Sequence, residues 1–283
     1  MSDIVIHALA SAAYAGLAWH FWNTRWRSAS HDAPAGLAGW ERIALAAVLT
    51  LHGAILAQIL FAPDGPRFGF AFALSSMLWL ALVLYWVESF FLNLDSILPG
   101  ALGLAAVCAP LTAWFPGRVP PATSLEFRFH ISLVILAYGV LTIALLHAIL
   151  MALVERFLHH PGHTQTGAAS GGVLSGPLSN LPPLLTLERV LFRLIAISFV
   201  LLTLTLATGM TLSESLFGKA LKFNHETVFA IVSWLVFGLL LAGRRYYGWR
   251  GRTAMRWVLA GYLSVILAGV GTRFVLEVIL GRS

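Results

Sequence analysis

The sequence predicts an all-α integral membrane protein, a polytopic bundle of about eight transmembrane helices that form a single transmembrane domain over 1-283. Hydrophobic residues make up 59% of the 283 positions, charged residues make up 11%, and the mean hydropathy is +0.83. A soluble domain has about 25% charged residues. The apolar runs are about 20 residues long, the length that crosses a ~30 Å hydrocarbon core as a helix. Because these runs do not alternate with polar residues, they predict helices and exclude a β-barrel.

The predicted spans follow one another along the whole chain. In order they cover 3-22, 42-62, 68-91, 97-115, 129-154, 190-211, 225-243 and 256-280. The first has Asp3 and no Lys or Arg ahead of its apolar run, so it lacks the positive flank of a secretory signal peptide and is predicted to be a retained helix. The fourth is interrupted by Pro99, Gly100 and Pro110, which membrane helices tolerate where neighbours satisfy the backbone.

The distribution of positive charge predicts the orientation. Of the 18 Lys and Arg residues, 11 fall in the odd-numbered connections and 7 on the opposite side. The positive-inside rule therefore predicts that the odd connections are cytoplasmic and that both termini are outside, in the periplasm. The net charge of +6 is interpreted as orientation and contact with anionic membrane lipids. Nucleic acid is not expected as a partner, because the chain lacks a soluble basic face.

One connection has the composition of a linker. Residues 157-181 are rich in Gly, Ser and Pro and are predicted to form a mobile cytoplasmic linker. Clustered histidines sometimes bind transition metals, so His159, His160 and His163 are either a metal-binding cluster or ordinary polar residues of a solvated loop. The single Cys108 excludes a disulfide within the chain and a Cys-x-x-Cys redox site.

Two histidines stand where a hydrophilic outer connection leads into an apolar helix, His130 in the fifth span and His225 in the seventh. Neutral imidazoles from two helices are an arrangement that holds a haem iron, so both are candidate metal ligands. At the interface, haem propionates would lie within reach of Arg128 and Arg273. The alternative is that these histidines cap helices or extend toward the lipid headgroups.

Other ionisable groups inside the spans also need an explanation, because burying them in a bilayer is costly. His52 lies near the middle of the second span and is an outlying candidate for an intramembrane site. Arg273 and Glu277 are four residues apart, the spacing of an intrahelical ion pair; alternatively, Arg273 faces a bound anion. Glu88 has no evident partner in the sequence. No P-loop, dinucleotide fingerprint, His-Glu-x-x-His helix or nucleophile elbow is present, so we do not expect an enzyme.

Three blocks of sequence resemble a known family. They are FRFHISLVILAYGVLTIALLHAILMALVERFL (127-158), LPPLLTLERVLFRLIAISFVLLTLTLATG (181-209) and a third block over 225-280 that begins HETVFAIVSWLVFG. In order and spacing they resemble the core of the cytochrome c assembly membrane proteins, the superfamily of CcsA, ResC and CcmC, and within it the short eight-helix branch of the YpjD and HemX type. The resemblance assigns 125-280 as a cytochrome c assembly-like core.

The resemblance implies binding of haem, as a non-covalently held b-type haem. His130 matches the external histidine that is an axial haem ligand in the family. The haem-facing signature of the family is retained only in part, at Gly218, Glu226 and Thr227, and its tryptophans are replaced. We expect His225 to supply a second ligand from a position of its own, and Arg273 to neighbour a propionate.

Two functions follow as hypotheses. The first is a haem-interacting protein of the bacterial inner membrane, of cytochrome c assembly type, that binds or handles haem together with cytochrome c assembly or haem-synthesis proteins. The second is a HemX-like membrane regulator or scaffold of tetrapyrrole synthesis, acting through protein partners that contact the connections 156-189 and 244-256. A small-solute transporter is less well supported, since the chain lacks a carboxylate pathway and an inverted repeat.

Overall fold

A computed structural model describes residues 2–27, 36–119, 124–158, 182–218 and 224–281. Within these ranges the chain is helical and contains no strand; the only β-type contact there is an isolated antiparallel bridge between Phe68 and Arg118. The Phe68 N–H donates to the Arg118 carbonyl at 2.8 Å, and the Arg118 N–H donates back at 2.9 Å. This bridge ties the connection before the third helix to the segment that follows the fourth.

Among the described residues, eight helical segments are long and apolar enough to cross a membrane, which confirms the predicted all-α bundle. Their main helices are, in chain order, α1 (Ser2–Phe21), α2 (Gly39–Leu60), α3 (Phe70–Glu88), α4 (Leu98–Cys108), α5 (Leu125–Leu158), α6 (Leu184–Phe217), α7 (His225–Tyr247) and α8 (Gly251–Ile266). The fourth and eighth spans are longer than α4 and α8 themselves and cover Asp95–Trp114 and Gly251–Ile279. A π-helical turn, Trp22–Arg27, extends α1, and a separate turn, Leu111–Trp114, follows α4 after Pro110. Beyond Ile266, α8 continues through π-helical turns as far as Ile279.

The helices α5 and α6 are longer than the sequence predicts. Each has 34 residues, which at ~1.5 Å per residue is about 51 Å, well beyond the hydrocarbon core. The predicted spans 129-154 and 190-211 cover only their apolar parts. Charged residues such as Glu126 and Arg156 continue α5 past the bilayer, because the intrahelical hydrogen bonds do not depend on hydropathy.

The long helix α5 lies at the centre of the bundle. It packs against α6 along much of its length, against α3 on another side and against α8, while α1 pairs with α4 and α7 pairs with α8. At Gly139 the helices α5 and α3 approach closely, since a Cβ atom there would lie 2.7 Å from the Cβ of Leu80. The residues with fully buried side chains include Tyr14, Phe21, Leu82, Leu141 and Phe237.

A buried network of charged groups joins α1, α2 and the start of α4. Arg25 donates to Glu41 Oε2 at 2.9 Å and contacts Asp95 Oδ2 at 3.4 Å. His20 Nε2 lies 2.8 Å from Glu41 Oε1, and the Ala38 backbone N–H donates to Glu41 Oε2. The side chains of Glu41 and Arg25 are only 4% and 8% exposed, so their charges compensate each other in an environment that would otherwise exclude them.

The linker and the orientation stay predictions. Residues 157 and 158 of the predicted linker 157-181 form the end of α5, whereas 159-181, with His159, His160 and His163, lie outside the described residues. The assignments of a single domain over 1-283 and of a core over 125-280 are likewise expectations, as is the placement of both termini outside.

Candidate functional site

A cavity of about 450 Å³ opens where α3 begins, among α5, α6, α7 and the extension of α8. We call it the His130 cavity. Its walls are mainly apolar, with a smaller set of polar groups, and its volume lies within the range of ~300–1,000 Å³ that is typical of ligand sites. The apolar and aromatic walls include Phe68, Phe72, Phe127, Ile131, Val134, Tyr138, Leu206, Met210 and Ala268. The polar groups are His130, Thr205, Ser213, Asn224, Glu226, Thr227 and Arg273.

His130 lies in the second turn of α5 and is half-buried in the cavity wall. Its Nδ1 is 2.8 Å from the Thr208 hydroxyl oxygen on α6. That hydroxyl also donates to the Leu204 carbonyl at 2.9 Å, so its lone pairs are available to accept a hydrogen from the imidazole. In this arrangement Nδ1 carries the proton and Nε2 keeps the lone pair that a metal requires.

Gly209 provides space beside the free edge of the His130 ring. A Cβ atom at position 209 would lie 3.3 Å from His130 Cε1 and 4.0 Å from Nε2. Glycine therefore leaves a gap next to the nitrogen that Thr208 does not engage. A larger residue would fill part of the cavity at that point.

Arg273 and Glu226 form the charged part of the cavity wall. The Arg273 Nε and Glu226 Oε1 atoms are 4.0 Å apart, and both side chains are more than one-third exposed. Arg273 thus pairs across the bundle with α7 rather than along its own helix with Glu277. Glu277 accepts a hydrogen bond from the Phe70 backbone N–H at the start of α3, where it satisfies an unpaired donor of the helix end.

His225 begins α7 and is exposed, and its side chain does not line the His130 cavity. Its two neighbours in sequence, Asn224 and Glu226, do line it. The Asn224 side chain caps α7 by accepting the Thr227 N–H at 2.9 Å. Because consecutive residues of a helix point about 100° apart, Glu226 faces the cavity while His225 faces outward.

His52 lies apart from this cavity, between α1 and α3. It is 1% exposed, and both of its ring nitrogens are in hydrogen bonds, Nδ1 with Tyr14 Oη at 3.0 Å and Nε2 with Ser75 Oγ at 2.8 Å. These contacts connect α1, α2 and α3. The structure therefore brings together His130 and Arg273 but not His225 or His52.

The family described as cytochrome C assembly protein matches residues 40–280, which include α3 to α8 and nearly all of α2. The chain belongs to the cytochrome c assembly protein family. This match confirms the resemblance that the three sequence blocks predict. Membership of the family supports a haem-related role in cytochrome c biogenesis.

Individual relatives of this cytochrome c assembly protein agree with that placement. The inner membrane protein YpjD of Escherichia coli strain K12 is 28% identical over 250 residues, which cover 85% of this chain and 89% of YpjD. The cytochrome c biogenesis protein CcsA of Prochlorococcus marinus strain MIT 9301 is 28% identical over 168 residues, 55% of this chain and 53% of CcsA. An uncharacterized 28.8 kDa protein of Azospirillum brasilense is 35% identical over 161 residues. With its eight candidate spans, the chain is a multi-pass protein of the bacterial inner membrane.

Several residues in or beside the cavity of this cytochrome c assembly protein are not predicted from its sequence. Thr208 and Gly209 close the block 181-209 but carry no motif of their own, and Thr208 meets His130 across 78 positions of sequence. Tyr138 and Phe72 belong to apolar runs that read as ordinary membrane helix. In the sequence, Thr208 and Gly209 are recognisable only as two small residues near the end of an apolar run. Small residues are common where membrane helices contact each other.

Proposed function

We propose that this cytochrome c assembly protein binds and handles haem in the His130 cavity, with His130 as the axial ligand of the iron and Arg273 beside a propionate. The observation that supports this most strongly is an imidazole in the wall of an aromatic-lined cavity, with Nδ1 engaged by Thr208 and Nε2 left free. Haem supplies the iron and the conjugated ring; the chain supplies binding, orientation and charge compensation.

The residues of the cavity fit such a group. Its apolar walls match a porphyrin face, and the Gly209 gap leaves room beside His130 Nε2. The loose pair of Arg273 and Glu226 at 4.0 Å leaves the guanidinium able to turn toward an incoming carboxylate. A cationic group at the entrance and an apolar interior correspond to the two ends of an amphipathic tetrapyrrole.

Haem held here is a non-covalent b-type haem. Thioether attachment, as at a Cys-x-x-Cys-His motif, requires cysteine thiols, and the only cysteine of the sequence, Cys108, is buried in α4 away from the cavity lining. Release and transfer are then possible without breaking a covalent bond, as expected for a protein that hands haem to assembly or haem-synthesis partners and is not an enzyme.

His225 is the second candidate ligand and belongs to the same proposal. It stands between two residues that line the cavity, so a rotation of the first turn of α7 would bring its ring toward the opening. The Asn224 cap opposes such a rotation. We therefore assign the main share of the binding energy to His130 and a smaller share to His225.

The test is a haem titration of the detergent-purified full-length protein, followed by absorption spectroscopy. The expected result is a Soret band that saturates at one haem per chain and disappears on competition by a stronger haem binder. A wild-type protein that develops no Soret band would overturn the proposal and leave the regulator or scaffold hypothesis in its place.

Filling the gap at position 209 is expected to weaken haem binding while all candidate ligands are kept. In Gly209→Val the added atoms would occupy the space beside His130 Cε1 and Nε2, where even one Cβ is at 3.3 Å. We expect at least a tenfold loss of haem affinity, equal to about 1.4 kcal/mol. The matched control is Gly16→Val in α1, where a Cβ meets no atom within 4 Å. Equal haem affinities for the two variants would contradict a site beside Gly209.

Removing the hydroxyl that engages His130 Nδ1 is expected to reduce haem affinity by about 10–100-fold, the usual effect of losing a group that orients a metal ligand. Thr208→Val keeps the shape of the side chain and loses the hydrogen bond of 2.8 Å. Thr208→Ser keeps the hydroxyl and is expected to bind haem like the wild type. Both variants are compared by the same titration, and equal losses for Val and Ser would rule out this role of Thr208.

A further inference from the structure

A second histidine–glutamate contact lies at the opposite end of α3 and α5 from the His130 cavity. His147 Nε2 on α5 is 3.4 Å from Glu88 Oε2, which belongs to the last residue of α3. Glu88, for which the sequence suggested no partner, therefore faces a histidine. The His147 side chain is 1% exposed and that of Glu88 is 17% exposed.

The hydrogen bonds of His147 determine which of its nitrogens carries a proton. Its Nδ1 is 2.9 Å from the Ile143 carbonyl oxygen, which can only accept a hydrogen bond. Nδ1 is therefore protonated, and in a neutral ring Nε2 has only a lone pair. The Glu88 Oε2 atom, 3.4 Å from this nitrogen, is also an acceptor when the carboxylate is ionised. Among the described residues, neither Nε2 nor Glu88 Oε2 has a hydrogen-bond partner.

Glu41 is a second glutamate that contacts a histidine, and its surroundings differ from those of Glu88. Glu41 also contacts a histidine, His20, but Arg25 and the Ala38 N–H donate to the same carboxylate. Glu41 can stay ionised because a buried guanidinium balances its charge. In the ion pairs of the described residues, Glu88 has no such cation and His147 is its only partner. An ionised carboxylate left without compensation inside a membrane protein is costly.

Several charged and titratable groups at this end contact residues other than Glu88 and His147. On α3, the Tyr85 hydroxyl donates to Asp95, which contacts Arg25. On α2, Arg42 donates through Nη2 to the Ser89 carbonyl and lies over the Phe90 ring, while its buried Nε has no hydrogen-bond partner among the described residues. From α6 and α8, Glu188 is paired with Arg244, and Arg252 is paired with Glu155.

We propose that Glu88 and His147 together bind one proton, which they share between Oε2 and Nε2. The proton comes from water at that end of the bundle, and its uptake changes the net charge of the pair from −1 to zero. It converts two facing acceptors into one donor and one acceptor, so that a hydrogen bond forms between α3 and α5. This site is separate from haem binding, since it uses neither His130 nor any residue of the His130 cavity.

The proposal is tested on the purified full-length protein without haem, at about pH 7.5, where an ordinary glutamate and an ordinary histidine have both lost their protons. Infrared spectroscopy detects the C=O stretch of a protonated carboxyl group and its shift in deuterated water. Nitrogen-15 NMR of histidine-labelled protein distinguishes a neutral ring from a doubly protonated one.

We expect one shared proton, seen either as a carboxyl band that Glu88→Gln removes or as a doubly protonated ring signal that His147→Gln removes. Glu155→Gln, another glutamate of α5 that pairs with Arg252, is the matched control and should leave both signals in place. Glu88→Gln retains a donor for Nε2, so folding is expected to persist, as thermal unfolding of the variant will verify. A neutral His147 ring, together with a protonated-carboxyl C=O band that is as strong in Glu88→Gln as in the wild type, would overturn the proposal.

Discussion

Replacing His130 with alanine is expected to lower haem affinity by more than about 100-fold. Loss of a residue that merely orients a metal ligand already costs about 10–100-fold, and His130→Ala removes the ligand itself. Among the described residues that line the cavity, His130 is the only histidine, so no other imidazole is in place to replace it. The measurement is the Soret absorbance in a haem titration of the purified variant, compared with the wild type.

Two controls distinguish loss of a ligand from loss of the fold. His225→Ala removes an exposed histidine from the start of α7 and is expected to weaken binding far less. Free imidazole is expected to restore part of the Soret band to His130→Ala, because the truncated side chain leaves space for it. If His130→Ala binds haem as tightly as the wild type, the His130 cavity is not the haem site.

Replacing Glu41 with alanine is expected to destabilise the protein by about 3–5 kcal/mol, the usual result of leaving one charge of a buried pair uncompensated. The variant would leave Arg25, which is 8% exposed, without its main partner, and would also remove the acceptors of His20 and of the Ala38 N–H. The measurement is the free energy of unfolding in detergent with increasing denaturant, followed by circular dichroism.

The matched control is Glu155→Ala, which breaks the contact with Arg252. That arginine is 64% exposed, and exposed pairs contribute at most about 1 kcal/mol. A double variant, Arg25→Ala with Glu41→Ala, should recover part of the loss, because it removes both charges of the pair; Asp95 then loses Arg25 but keeps the hydrogen bond from Tyr85. If Glu41→Ala is no more destabilising than Glu155→Ala, the network is not a major source of stability.

The fold could be predicted from composition because few kinds of backbone structure can span a bilayer. The chain has eight apolar runs and only 11% charged residues. In a bilayer the backbone N–H and C=O groups of such runs must find hydrogen-bond partners within the protein, and a helix provides them within each run. The ends of those helices could not be predicted in the same way. The helix α6 starts at Leu184, after Pro183 and six residues ahead of its predicted span, and its first turns include the buried Glu188, whose partner Arg244 only the folded bundle provides.

The candidate site was predictable in its chemistry but not in its geometry. His130 stood out because an imidazole at the entrance of an apolar helix is unusual, whereas Thr208 and Gly209 gain meaning only from their contact with it. His225 is predicted for the same reason as His130, yet the rotation of α7 about its axis leaves His225 exposed and places Glu226 in the cavity wall. The spacing of apolar residues does not predict which side of α7 faces the cavity, since α7 is apolar around much of its circumference.

The helices α3 and α5 are in close contact at Gly139, so this residue is the pivot for any tilting of α5 against α3. His130 lies nine residues before this point and His147 eight residues after it, so the two arms are about 13 Å long. Any rocking of α5 against α3 about Gly139 moves the two histidines in opposite directions and by nearly equal amounts. A tilt that moved α5 away from α3 beside His130 would therefore bring His147 closer to Glu88 at the other end of α3.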